Sequence, residues 1–273
     1  MQQLLHKAII AAINAGDKIL EIYNTNFSVD YKSDETPVTA ADKAASNSIA
    51  SELASTQIPL ICEEKEVPDY DERKNWKQLW LVDPLDGTKE FVKRNGEFTV
   101  NIALIEQCRP VIGVVFSPVS KQLYFAAEGL GSYKLNQHQV IELINNQQLH
   151  NLNLIMQRAT ELSNKNLPST YTIIASRSHL SSELYHYIDV LEQKHQKINL
   201  LNVGSSIKMC WVADGLAHEY PRFGTTMEWD TAAGHCIVKQ AGGNIFDLNT
   251  KIDLVYNKPN LKNPNFIARN CIS

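Results

Sequence analysis

The stretch Leu-Trp-Leu-Val-Asp-Pro-Leu-Asp-Gly-Thr, residues 79–88, constrains this chain more than any other. Four apolar residues in a row suit a buried strand. Two aspartates, a proline and a glycine follow at once, and Asp-Pro and Asp-Gly are turn dipeptides. Two readings are open: a tight turn that ends a strand, or a metal site built on that turn. Position favours the second, because ligands of α/β proteins bind beyond the C-terminal ends of buried strands.

The spacing has chemical sense. Asp83 and Asp86 can converge on one cation, and the carbonyl of Leu85 can join them, with Pro84 fixing the chain direction and Gly87 permitting the bend. Hard cations such as magnesium take oxygen donors of this kind. Thr88 adds a hydroxyl and a backbone N–H where a helix or turn can open, and such N–H groups hold phosphate. Two other places have the same form. Ile61-Cys62-Glu63-Glu64 sets two carboxylates just past a short strand, and Glu228-Trp229-Asp230-Thr231-Ala232-Ala233-Gly234 sets an aspartate at a helix start. Singly, each reads as solvated surface or as an N-terminal cap. The site reading rests on three places of one kind in one chain.

Around these points the pattern is that of a mixed α and β protein. Leu5, Ala8, Ile9, Ala12, Gly16, Ile19, Leu20 and Tyr23 recur at helical spacing. A second helix is expected to start at Thr39, with Asp42 three residues later as a capping-box variant. Strands are expected over 59–62, 79–82, 98–104, 111–116 and 123–126, with turns at Pro110, Pro118, 128–129 and 130–131. A polar, charged loop fills the stretch from Glu64 to Trp76. Residues near 136–168 are polar and mark a boundary. Beyond it, strands over 171–175, 198–203, 218–220 and 244–247 alternate with helices over 181–194, 205–213 and 229–240, which is α/β organisation.

Composition bounds the function. The 273 residues, 44% apolar and 21% charged, are those of an ordinary globular protein with room for two modest domains. A net charge of -4 gives no overall basic field for nucleic acid or an anionic membrane, so an anionic substrate needs a local cluster of cations or metals. Five cysteines without a Cys-x-x-Cys pair argue against a disulfide framework and a zinc knuckle and suit reduced thiols in the cytoplasm. His235 and Cys236 read as helix packing. The N-terminal apolar stretch is broken by Asn14, Asp17, Lys18 and Glu21 and reads as an amphipathic helix. No G-x-x-x-x-G-K-[ST] loop occurs, which argues against a kinase.

Taken together, these motifs resemble the inositol monophosphatase-like superfamily of magnesium-dependent, lithium-sensitive phosphatases. Residues 80–88 match its first signature, residues 229–234 its second, and Pro37-Val38-Thr39 with Asp42 and the Glu63-Glu64 pair match flanking elements. The resemblance runs from the first helix to Asn263-Pro264-Asn265-Phe266. Residues 81–105, Ser176-Arg177-Ser178-His179, residues 204–208 and residues 220–224 look like its 3'(2'),5'-bisphosphate nucleotidase branch. What this implies is a layered α/β/α/β/α sandwich, α+β over residues 1–150 and α/β over residues 151–273, with the site between the halves.

By the same resemblance, Glu63, Asp83, Asp86, Asp230 and the Leu85 carbonyl hold two or three magnesium ions, with Glu64 outside them. Thr88 and Asp42, with Glu63 on the metal, form the catalytic set that orients a water. Substrate contacts fall on Glu63, Leu85, Asp86, Gly87, Thr88, Ser176, His179, Gly204, Lys208, Arg222 and Asp230. From the residues alone, Asp42 is also explained as a cap, Lys208 as a solvated helix face, and Ser176 to His179 as a polar loop. Lys89, Lys93 and Arg94 suit either steering of an anion or plain surface. Cys62 stands where serine or glycine is expected, and 225–228 lacks the proline common in the branch, which puts the shape of the substrate loop in question. The implied reaction is hydrolysis of adenosine 3',5'-bisphosphate to AMP and phosphate, with the sulfated nucleotide PAPS as a further substrate and the clearing of a by-product of sulfate activation as the role. The alternatives are an inositol monophosphatase or other small phosphomonoesterase, and a non-catalytic nucleotide sensor on the same fold. No nucleic acid partner is expected. The resemblance implies a monomer or homodimer in the cytoplasm, with peripheral association at the cytoplasmic face of the inner membrane.

Overall fold

A computed structural model describes residues 1–31, 37–163, 167–176, 181–195 and 197–270. In chain order the elements are α1 (Gln2–Tyr23), β1 (Val29–Tyr31), β2 (Pro37–Thr39), α2 (Ala40–Leu53), β3 (Leu60–Cys62), α3 (Tyr70–Arg73), β4 (Gln78–Asp86) and α4 (Thr88–Val92). Next come β5 (Thr99–Glu106), β6 (Arg109–Ser117), β7 (Gln122–Ala127), β8 (Gly131–Leu135), α5 (Gln137–Asn145), α6 (Leu152–Arg158) and β9 (Thr160–Glu161). The rest are β10 (Tyr171–Ser176), α7 (Ser182–Glu192), β11 (Ile198–Val203), α8 (Ile207–Ala213), β12 (Glu219–Arg222), α9 (Glu228–Gln240), β13 (Asn244–Asp247) and β14 (Phe266–Arg269).

Strands β3 to β9 lie in sequence order in a seven-stranded sheet, antiparallel apart from the β3–β4 pair. A five-stranded sheet has the order β11-β10-β12-β14-β13. Helices α1 and α2 cover one face of the larger sheet, α8 and α9 fill the space between the sheets, and α7 lies on the far side of the smaller one. The result is the expected α/β/α/β/α layering.

The unbroken apolar run of β4 follows from this double cover. Trp80 and Val82 point into the core shared with α1 and α2, while Leu79 and Leu81 point into the core shared with α8 and α9. Small residues set the spacing of the middle layer. A side chain on Gly113 of β6 would collide with the Ala233 carbonyl and Cys236 of α9, and one on Gly234 would strike Met209 of α8. The Ala232-Ala233-Gly234 run therefore lets α9 lie close against both neighbours.

Several expectations need correction. The stretch from Glu64 to Trp76 is not all loop: it holds α3, and Arg73 there is buried. Gly131 begins β8 where a turn is expected. The polar region near 136–168 holds α5 and α6, each started by an asparagine cap, Asn136 and Asn151. The helix caps at Thr39 and Asp42 form as expected, with the Thr39 N–H donating to Asp42 Oδ2 at 2.7 Å. His235 does pack inside its helix layer, where burial pushes its pKa down to about 4 and Tyr256 meets its Nδ1 at 2.9 Å.

Candidate active site

The first correction at the site concerns the opening motif. Asp83 to Asp86 is not a tight turn. Strand β4 continues through it, pairing Asp83 with Asn101 and Asp86 with Thr99. Three steps along β4 match two along β5, so one extra residue is bulged out. Residues three apart on a regular strand point to opposite faces; the bulge returns both aspartates to one face. Pro84, which has no N–H to lose, is tolerated in such a bulge. The sharp bend comes at Gly87, with φ at +94°, a conformation glycine enters without strain. Helix α4 opens directly after it at Thr88.

Long-range packing then gathers the acids. Carboxylate oxygens of Glu63, just past β3, Asp83 on β4 and Asp230 in the first turn of α9 lie within 4.8 Å of one another. This is the one such group of metal-ligating side chains among the described residues. Asp86 stands outside that triple but lines the same cavity, of about 280 Å³. Leu85, Gly87, Thr88, Gly204, Lys208 and Arg222 line it as well.

The electrostatics are those of a site built for cations. Burial raises the Asp83 carboxyl well above its ordinary range, and Glu63, Asp86 and Asp230 raise it further. Asp230 is raised well above its range by burial, then by Asp86 and Glu63. Protein donors offset this only in part: the Leu85 N–H reaches Asp83 Oδ1 at 3.0 Å, and the Met227 N–H reaches Asp230 Oδ2 at 2.8 Å. Asp86 is raised by burial and drawn back by Lys208 and the Ser206 N–H. An all-oxygen donor set under mutual repulsion fits a hard divalent cation, whose charge removes the repulsion.

Beside the acids is a second arrangement. Thr88 Oγ1 lies 3.1 Å from Asp42 Oδ1 and 3.3 Å from the Leu85 carbonyl. Thr39 holds Asp42 Oδ2 through both its N–H and its hydroxyl, each at 2.7 Å. Burial raises Asp42 to about 6, against the pull of those Thr39 bonds. Asp42 thus serves as cap and faces Thr88 as well. Glu64 does not line the cavity; its charge bears on Asp42.

Across the cavity are the cations. Lys208 is buried, not on a solvated helix face, and its ammonium sits 5.5 Å from the centre of the Tyr220 ring. Burial lowers its pKa to about 8, while Asp86 opposes the drop. Arg222 Nε is buried without a partner. Gly204 lends room: its N–H donates to Glu97 Oε2 at 2.8 Å, and a Cβ there would crowd Glu90 and Glu97. Lys89 lines the cavity, but Arg94 is turned away, capping the end of α1 through the carbonyls of Tyr23 and Thr25. Ser176 ends β10, and its side chain, with Arg177, Ser178 and His179, lies outside the described residues.

Some of the wall is absent from the expectations. Ser206 donates to Asn101 Oδ1 at 2.6 Å and lies 2.8 Å from Thr99 Oγ1, joining α8 to β5 behind Asp86. Thr99 and Asn101, polar residues two apart inside an apolar strand, carried that signal. Tyr220, Thr225, Thr226, Thr231 and Phe266 complete the lining.

A bulged acidic strand, an acid from the middle-layer helix and five α and β layers define one class of protein. The chain belongs to the inositol monophosphatase family, whose profile matches residues 1–271. It is similar to the 3'(2'),5'-bisphosphate nucleotidase CysQ of Salmonella typhimurium, 41% identical over 267 residues that span 96% of this chain and 98% of that one. Among solved structures it is similar to CysQ from Bacteroides thetaiotaomicron, at 42% identity and TM-score 0.87 over 98% of this chain and 97% of that one. The suhB protein of Bartonella henselae, at 24% identity and TM-score 0.75 over 98% and 94%, shares the fold.

Proposed function

We propose that this chain is a magnesium-dependent 3'(2'),5'-bisphosphate nucleotidase that hydrolyses adenosine 3',5'-bisphosphate to AMP and phosphate. The observation that carries the reading is one cavity with an acidic wall, Glu63, Asp83, Asp86 and Asp230, facing a cationic wall, Lys208 and Arg222. A substrate with two separate phosphates satisfies both walls; a single phosphate leaves one of them idle. The similarity to the two CysQ proteins supports the same substrate class. PAPS, with its 3'-phosphate and 5'-sulfate arm, offers the same two ends.

In this reading Glu63, Asp83, Asp86, Asp230 and the Leu85 carbonyl hold two or three magnesium ions at the scissile phosphate. Bound there, the ions lower the pKa of a water and offset charge on the attacking and leaving oxygens. Thr88 donates its own proton toward Asp42 Oδ1, which leaves a lone pair on Oγ1 to accept from the attacking water. Asp42, raised to about 6, is ionised at neutral pH and can take the proton relayed through Thr88. The water oxygen bonds to phosphorus, the bond from phosphorus to the 3'-oxygen breaks, and that oxygen takes a proton from solvent. Lys208 and Arg222 bind the remaining 5'-group; the unpartnered Arg222 Nε is a donor suited to it. Ser176, His179, Gly204 and Gly87 complete the proposed substrate contacts. The proposed role is clearing the by-product of sulfate activation in the cytoplasm. No helix of the described residues is long and apolar enough to cross a membrane.

Phosphate release from adenosine 3',5'-bisphosphate, inositol 1-phosphate and fructose 1,6-bisphosphate, with magnesium, chelator or lithium, tests the reading. We expect the nucleotide to be preferred, and chelator or lithium to suppress turnover. Preference for the inositol ester would overturn the substrate, and turnover that survives chelation would overturn the metal.

A further inference from the structure

Asp230 is carried by α9, while Glu63 and Asp83 belong to the seven-stranded sheet. Their convergence depends on where the first turn of α9 is held. That turn has its own anchor two residues before Asp230. Glu228 is 0% exposed, and both its oxygens are occupied. Oε2 accepts from the Asn257 N–H at 2.5 Å, and Oε1 accepts from the Lys258 N–H at 3.0 Å and from Lys258 Nζ at 2.6 Å. Asn257 has φ at +63°. Successive N–H groups around such a residue form a concave anion seat, and here the anion is Glu228.

The seat is tied in turn to the segment that follows Glu63. Arg73 Nη1 donates to Asn257 Oδ1, and Asn257 Nδ2 donates back to the Arg73 carbonyl, both at 2.8 Å. Arg73 also donates to the carbonyls of Lys258 at 2.7 Å, Pro259 at 2.9 Å and Pro68 at 3.2 Å. Only 3% of Arg73 is exposed. A rigid guanidinium fork spread over several carbonyls fixes geometry in a way a lysine cannot. A closed path results: from Glu63 along the chain to Arg73, across to Asn257, onto Glu228, and two residues on to Asp230. Neither Arg73, Asn257 nor Glu228 lines the cavity.

We propose that Arg73, Asn257 and Glu228 are positioning residues that hold Asp230 in register with Glu63 and Asp83, and so set the affinity of the site for its divalent cation. The proposal rests on the reading of Asp230 as a metal ligand. The buried network ties together the two segments that bring the ligands in, and this separates it from an ordinary surface ion pair.

Magnesium titrations of the purified chain test it, with two readouts: the rise in Tm of the metal-free protein, and phosphate release. Asp230→Asn calibrates the loss of a ligand. Glu228→Gln keeps the shape and loses the charge, Arg73→Lys keeps the charge and loses the fork, and Asn257→Gly keeps the left-handed backbone and cuts only the side-chain link. We expect each of these three to raise the half-saturating magnesium about tenfold in both readouts, with kcat at saturating magnesium within about threefold of the parent. Arg269→Lys loosens a buried ion pair on the far face of the smaller sheet; it is expected to lower Tm and leave half-saturation unchanged. Asn257→Gly, the mildest change, decides the matter if either of the other two fails to fold. Half-saturation within about twofold of the parent in the folded variants, with Asp230→Asn shifted, would overturn the positioning role. No shift even in Asp230→Asn would overturn the metal reading, and the proposal with it.

Discussion

Two sets of buried carboxylate flank the five-stranded sheet, and they are treated in opposite ways. On the α7 side Glu219 is 0% exposed and closed off by protein: Arg269 Nε reaches it at 2.9 Å and the Tyr187 hydroxyl at 2.8 Å. On the side of α8 and α9, Glu63, Asp83 and Asp230 crowd one another, and burial with mutual repulsion raises Asp83 and Asp230. Both sets are enclosed, so burial alone does not distinguish structure from function. What distinguishes them is whether the protein supplies the countercharge. Glu219 has its own; the cavity acids are balanced only when something from outside arrives.

That contrast breaks first at its open end. Asp83→Asn removes the most enclosed acid of the cluster. We expect kcat to fall about 10³-fold, since charge stabilisation at a reacting centre is worth roughly this much, with the circular dichroism spectrum unchanged. Turnover within about tenfold of the parent would remove Asp83 from the reacting centre. At the closed end the effect should move from rate to stability. Glu219→Gln strands Arg269, which keeps 37% of its side-chain surface in solvent. The cost should therefore be about 2 kcal/mol, below the ~3–5 kcal/mol of a fully buried pair. For a chain of this size that lowers Tm by roughly 4–8 °C, with kcat/KM near the parent's. A normal Tm with impaired turnover would mean that the two ends had been assigned the wrong way round.

Local signals in the sequence gave away much of this. The run at 79–82 and the strands at 98–104, 111–116 and 123–126 are apolar over the length of a strand, and they form β4 to β7. Thr39 with Asp42 marks the start of α2 because capping is a contact within four residues. The parts that stayed hidden depend on distant partners. Strand β14 is four residues long and follows a polar, proline-bearing stretch, so only its pairing with β12 and β13 defines it. Helices α5 and α6 bury just Val140, Leu143 and Ile155, too few for a periodic signal. Arg73 and Glu228 look like surface charges in a polar context, and their burial follows from the docking of residues 257–259. At the site, the residue types were readable one by one. The bulge that turns Asp83 and Asp86 to one face was not, because it is set by register against β5.

The smallest expected effect sharpens the contrast through protons. Asp83 and Asp230 have folded-state pKa values raised above their unfolded ones. The metal-free native chain therefore holds these protons more tightly than the unfolded chain does. Their contribution to stability is full at low pH and is lost as pH rises through the raised values. Asp230→Asn removes one member of the repelling set, so the metal-free variant should melt close to the parent at pH 5 and above it at pH 8. We expect a gain of about 1 kcal/mol, or roughly 2–4 °C, at the higher pH. Magnesium should reverse the order there, because it stabilises the parent through a site the variant has damaged. Thermal melts of both proteins at the two pH values, with and without magnesium, measure this directly. A variant that melts below the parent at pH 8 without metal would mean that the cavity acids are satisfied by the protein after all, and the cluster would then belong with Glu219.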